Sequence, residues 1–238
     1  MTPRKAGSDY IRQAMGGDFM EFKDCFQVWN KLSDADRRLI EENLVLRSAP
    51  KGTLLHRGSA DCLGFLVLKS GQLRGYINSE EGRELTIYRL FERDICVLAA
   101  SCVMNSIQFE IFIETEKDTE FWLIPPDILK KLMETSAPAA NYTTEIMSAR
   151  LSETMWLIEQ VMWRSMDKRI ASFLLEEAAI EGTNLLKITH EAIANHLGTH
   201  REVVTRMLRY FQGEGMVLLS RGAVEIKDEK KLIQLQNS

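Results

Sequence analysis

Between residues 199 and 209 the sequence reads THREVVTRMLR, with polar and apolar positions alternating at helical spacing. Thr199, His200, Arg201, Glu202, Thr205, Arg206 and Arg209 share the outward side of such a helix, and Val203, Val204, Met207 and Leu208 form a stripe to be buried. Near a helix start, arginine can bond both O6 and N7 of guanine, and glutamate can accept from the cytosine amino group. Later or flanking cations, Arg209 and Arg221 among them, have the reach and charge to hold phosphates.

Two elements must present that face. Thr189 can cap a first helix, EAIANHL, and Glu191 favours its positive end. Thr189 is therefore counted with the outward, DNA-facing set, while Ile193 and Leu197 point inward. Gly198 permits the left-handed conformation that ends this helix, and Ala194 is small where two helices approach most closely. The pattern predicts a helix-turn-helix. MVLLS and AVEIK, turning at Arg221 and Gly222, predict a β wing after it. A plain helical hairpin with a charged outer face is the alternative, and the wing argues against it.

Upstream, Leu151, Met155, Ile158 and Met162 lie at 4, 3, 4 spacing, an a/d seam that either the β region or a second copy of the chain must cover. An ordinary core helix is the bland alternative. From Val45 to Ile124 the runs are short, β-branched or aromatic and divided by turns at Gly71 and Gly82, which predicts a small barrel or jelly roll. Phe22, Phe26 and Trp29, then Leu39, Ile40 and Leu44, predict two short helices before it, Ser33 capping the second.

The chain has 238 residues, 45% of them hydrophobic, enough for two compact domains. Its formal net charge of -4 means that any affinity for nucleic acid comes from a local patch. No apolar run reaches the roughly 18 residues of a membrane helix. Cys25, Cys62, Cys96 and Cys102 are scattered behind no signal peptide, as reduced thiols of a cytoplasmic protein would be. Cys96 and Cys102 are six apart and invite a thiol switch, although small buried hydrophobes are the plainer reading. His190, His196 and His200 have no acid or thiol completing a metal set, so capping and DNA-facing roles are expected; His56 reads as structural. No serine, histidine or aspartate stands in a nucleophile context, and no catalytic, metal or cofactor site is expected.

With the barrel, the long helix and the winged helix-turn-helix in this order, the chain resembles the Crp/Fnr family of bacterial transcription regulators over nearly everything after residue 20. The likeness is densest in LGTHREVVTRMLRYF and QGEGMVLLSRGAVEIK. It implies that Arg201, Glu202 and Arg206 face bases or adjacent phosphates, in a homodimer joined along the long helix on a pseudo-palindromic operator, with RNA polymerase as a further partner. The implied fold is α+β: a loose arm at 1–18, an antiparallel β jelly-roll effector domain at 19–135, a dimerisation helix at 136–164 and a winged helix-turn-helix at 165–238.

Departures from the family pattern carry information too. Cyclic-nucleotide binders of this fold place a Gly-Glu pair and an Arg-Ser or Arg-Thr pair after the position of Asp94, where this chain reads ICVLAASCVMNSIQFEIF. That stretch has no arginine and only a late acid, Glu110, so cyclic AMP is not the expected effector. An iron-sulfur cluster needs more N-terminal thiols than Cys25. The expected effector wall is Cys96, Val97, Leu98 and Cys102, closed by the long helix; by the resemblance Thr154 faces the ligand, with Met155 and Ile158 making its surroundings apolar. An unidentified uncharged or aromatic metabolite suits such a wall. The rival to an effector-gated regulator is a small-molecule-binding or redox-responsive sensor acting without gated DNA binding.

Overall fold

The computed structural model describes residues 10–13, 16–58, 62–103 and 110–237, with the side chains of 10–13, 16–20, 101 and 102 outside that description. In chain order it contains β1 (Tyr10–Gln13), α1 (Gly16–Cys25), α2 (Asp34–Asn43), β2 (Val45–Ala49), β3 (Leu54–Arg57), β4 (Phe65–Ser70), β5 (Leu73–Asn78), β6 (Glu84–Leu90) and β7 (Ile95–Cys96). There follow β8 (Phe112–Thr115), β9 (Thr119–Ile124), α3 (Pro126–Thr135), α4 (Ala137–Trp163), α5 (Met166–Glu181), β10 (Leu185–Leu186), α6 (His190–Leu197), α7 (Arg201–Gly213), β11 (Val217–Ser220), β12 (Ala223–Ile226) and α8 (Glu229–Asn237).

The chain divides into two compact units, one of Met1–Ile77 with Ile87–Thr154, the other of Asn78–Thr86 with Met155–Ser238. In the first, a sheet ordered β1-β2-β9-β4-β7 and a sheet ordered β3-β8-β5-β6 share one core, the two-sheet arrangement of a jelly roll. The Phe65-Leu66-Val67-Leu68 run of β4 is buried at every position, because this strand lies inside its sheet with both faces covered. Aromatic residues tie the lead-in helices to that sheet. Phe22 meets Trp122 edge-on at 5.9 Å, and Phe26 meets Phe65 at 5.7 Å and Tyr142 of α4 at 5.4 Å. Ser33 caps α2 in a capping box: its hydroxyl accepts from the Asp36 amide at 3.1 Å, and the Asp36 carboxylate accepts from the Ser33 amide at 3.4 Å.

Two expectations need correction. The arm at 1–18 is ordered in its later part, since Tyr10–Gln13 forms an edge strand paired antiparallel with β2, Tyr10 opposite Ser48, and α1 starts at Gly16. The cysteines are not all reduced thiols: Cys25 and Cys96 are free, whereas Cys62 is disulfide-bonded. A Cys96 pairing with Cys102 is thereby ruled out in this state.

In the second unit α5, α6, α7 and α8 surround a core of Ile170, Phe173, Leu174, Ile193, Val204, Leu208, Phe211 and Leu232. A three-stranded sheet ordered β10-β12-β11 forms the wing, and Ser220 pairs with Ala223 across the two-residue turn of Arg221 and Gly222. Gly222 has φ +74°, the left-handed value that such a tight hairpin turn demands.

Candidate nucleic-acid interface

The turn between α6 and α7 sets the geometry of the interface. Thr189 caps α6 with its hydroxyl accepting from the Ala192 amide at 3.1 Å. Gly198 ends the helix at φ +66°, ψ +37°, and the Gly198 and Thr199 amides both return to the Ala194 carbonyl. Ala194 is 1% exposed, as a residue at the helix crossing must be. A further clamp comes from α5, whose Arg169 donates from Nη2 to the Leu197 carbonyl at 2.6 Å. Half-burial pushes the Arg169 pKa down from its ordinary value, yet a guanidinium at a helix C-terminus still satisfies the last carbonyls with charge of the right sign.

The turn delivers α7 with Val204, Leu208 and Phe211 inward and Arg201, Glu202, Arg206 and Arg209 outward, all four exposed. His200 occupies the N-cap position without a side-chain cap bond and is exposed; Thr199 is half-buried. Thr205 is half-buried and engaged: its hydroxyl lies 2.9 Å from Nδ1 of His190, the first residue of α6. Burial first, then the Arg201 and Arg209 cations, lower the His190 pKa, which favours the neutral imidazole beside that hydroxyl. His196 turns inward, its ring 5.2 Å from Phe173.

Arg201 also lines a cleft of about 410 Å³ with Thr189, His190 and Glu191 of the α6 start and Ser220, Gly222 and Ala223 of the wing. The starts of two helices and a hairpin turn thus converge on one concavity, with Arg221 exposed beside it. Helix starts carry partial positive charge and unpaired amides, which suits phosphate oxygens. Exposed Arg201, Glu202 and Arg206 on the adjoining helix face have the donor and acceptor pattern for base edges. His190 was expected only to cap a helix or face DNA, and Arg169 was not singled out by the sequence. Their partners lie 15 and 28 residues away, beyond any helical period, so no local signal exists.

The residues of the expected effector wall that are described lie in the first unit. Cys96 and Val97 are each 1% exposed and Leu98 6%, all within the core of the first unit. Beside them Tyr88 lies so close to Gly75 that a Cβ there would come 2.4 Å from the ring, and its hydroxyl is 3.6 Å from the Cys96 sulfur. The Arg150 guanidinium of α4 sits 4.8 Å from the centre of the same ring. Burial pushes both the Tyr88 hydroxyl and the Cys96 thiol up, keeping both protonated. The Thr154 hydroxyl donates to the Arg150 carbonyl at 2.8 Å. Met155 and Ile158 lie on an exposed stripe with Leu151 and Met162. The Cys102 side chain and residues 104–109 fall outside the described residues.

Comparisons with known proteins bear on both units. Residues 168–235 match the family model described as the Crp-like helix-turn-helix domain. The chain is 62% identical to a protein of the crp/fnr family from Eubacterium rectale whose crystal structure superposes at a TM-score of 0.89, over 90% of this chain and 100% of that one. The anaerobic regulatory protein of Haemophilus influenzae is 26% identical over 82% of this chain and 78% of its own. The global nitrogen regulator of Synechococcus elongatus is 25% identical over 65% of this chain and 73% of its own.

Proposed function

The chain belongs to the Crp/Fnr family, whose members regulate transcription through a DNA-binding helix-turn-helix, and from that premise we propose a role for each part of this molecule. Arg201, Glu202 and Arg206 of α7 read base edges in the major groove. Arg209, Arg221 and the α6 start at Thr189 hold phosphates, with Thr199 and His200 at the groove margin. The observation carrying this reading is the single exposed face of α7, on which these charges stand opposite a fully buried Val204, Leu208 and Phe211. Thr205 acts through His190, bracing α7 against α6, and touches no base.

Residues 136–164 join two copies of the chain. Supporting this, Leu151, Met155, Trp156, Met162 and Trp163 of α4 are all more than half exposed, a larger apolar stripe than a soluble helix leaves to water. A two-fold dimer would place two copies of α7 on a pseudo-palindromic operator one helical turn apart. Residues 165–238 form the DNA-binding part and 19–135 the sensor, which takes a small uncharged or aromatic effector distinct from cyclic AMP. RNA polymerase is the further protein partner, and the cytoplasm is the compartment where such a regulator meets its DNA. No residue is assigned a catalytic role.

Selection of binding sites from random duplex DNA, run at fixed salt with the wild-type protein and with Arg201→Ala and Arg206→Ala, tests this assignment. Enrichment of a palindrome by the wild type, lost in both variants, is expected. A palindrome enriched equally by all three would remove α7 from base reading.

A further inference from the structure

We infer that the cleft between α2 and the junction of α3 with α4 binds a small phosphate monoester, its phosphate held over the start of α4. The cleft measures about 810 Å³, is lined by residues within 31–42 and 131–138, and belongs entirely to the first unit. That is room for one metabolite. None of its lining residues belongs to the expected effector wall at 96–102, so the site is a second one on the sensor unit. Ser136 forms part of the lining, is only 4% exposed, and its hydroxyl has no hydrogen-bond partner. A buried hydroxyl left unpaired is destabilising, and an oxygen admitted by the cleft would pair with it.

The surrounding charge selects an anion. Ser136 immediately precedes α4 and its carbonyl accepts the Ala140 amide, so it stands at the N-cap position. An N-cap serine ordinarily accepts from a first-turn amide, and this one does not. The helix is 27 residues long and has no acidic side chain in its first turn, which leaves its positive end uncompensated, with Ala137 bordering the cleft. Three cations line the same cleft: Lys31, Arg38 of α2 and Lys131 of α3, each exposed and without an ion pair among the described residues. The two acids of the lining are engaged, Asp36 in its capping box with Ser33 and Glu42 with a partner of its own. A phosphate dianion suits this set better than a carboxylate, since three oxygens can meet the hydroxyl, the helix start and the cations together. Leu32, Leu39 and Pro138 give an apolar wall for the organic part of the ester.

The test reads no DNA, so the site stands or falls apart from the role of α7. Full-length protein is titrated calorimetrically with phenyl phosphate, inorganic phosphate and phenol at fixed ionic strength, and thermal unfolding is followed with and without each. Phenyl phosphate is expected to saturate and to raise Tm, inorganic phosphate to bind more weakly, and phenol not to bind. Arg38→Ala combined with Lys131→Ala, both exposed side chains, should weaken phenyl phosphate by about tenfold or more. Ser136→Ala is expected to raise Tm of the protein alone, because an unpaired buried hydroxyl is removed, and yet to shrink the Tm gain that phenyl phosphate brings. A serine of purely structural role would move the first quantity and leave the second unchanged. Phenyl phosphate that fails to saturate, binds no more tightly than inorganic phosphate, or keeps its full affinity in the double variant would overturn the inference, as would an undiminished Tm gain in Ser136→Ala.

Discussion

At the scale of single residues, Arg201, Arg206 and Arg209 carry the same charge and have separate tasks. Alanine at Arg201 or Arg206 is expected to cost about 1–3 kcal/mol of discrimination between the preferred and a mismatched base pair. Alanine at Arg209 should instead weaken all sequences alike and reduce the magnitude of the salt slope by about 1. Fluorescence anisotropy on matched and mismatched duplexes across a salt series separates the two. His190 supplies a pH prediction. Its folded-state pKa lies below the ordinary value because burial, Arg201 and Arg209 all disfavour the imidazolium. The unfolded chain therefore binds the extra proton first, as pH falls through the unfolded pKa of about 6.5. Stability should be lower near about pH 5 than near about pH 8, and His190→Asn should flatten part of that difference in urea midpoints. The exposed charges of α7 were legible in the sequence, because a helical period alone places them. The Thr205 hydroxyl was expected on the DNA side, and only the folded pair of helices shows it bound to His190.

At the scale of elements, the caps were the most legible feature. Thr189, Gly198 and Ser33 act within a few residues of themselves, so type and position suffice to locate the helix ends. Gly198 sets a prediction here: Gly198→Ala is expected to destabilise the winged helix-turn-helix by about 1–2 kcal/mol, since an L side chain strains at φ +66°. Chemical denaturation followed by circular dichroism measures it, and an unchanged midpoint would mean that the turn relaxes. The elements that escaped notice depend on distant partners. β1 exists because Val45–Ala49 offers it an edge, and α8 because Leu232 finds a place in the core formed with α5. Neither segment announces itself by period or composition.

At the scale of the whole molecule, the apolar stripe of α4 remains to be covered. Met155→Lys combined with Met162→Lys is expected to convert a dimer into a monomer in sedimentation equilibrium, with little change in helix content, since both side chains are exposed within the chain. Affinity for a two-half-site operator should then drop much further than affinity for one half-site. If the double variant sediments as the wild type does, α4 is not the joint between copies.

The order of helices, β region, long helix and winged helix-turn-helix was determined by the sequence itself, as were the caps and the charged face of α7. Each rests on periodicity or on the conformational limits of one residue. Tertiary structure decided the rest: that Cys96, Val97 and Leu98 are packed core, that β4 and β5 part into separate sheets, that Arg169 locks the end of α6, and that Cys62 is cross-linked. Those outcomes depend on which remote segments pack together, and free energies of packing and long-range pairing leave no periodic trace in the chain.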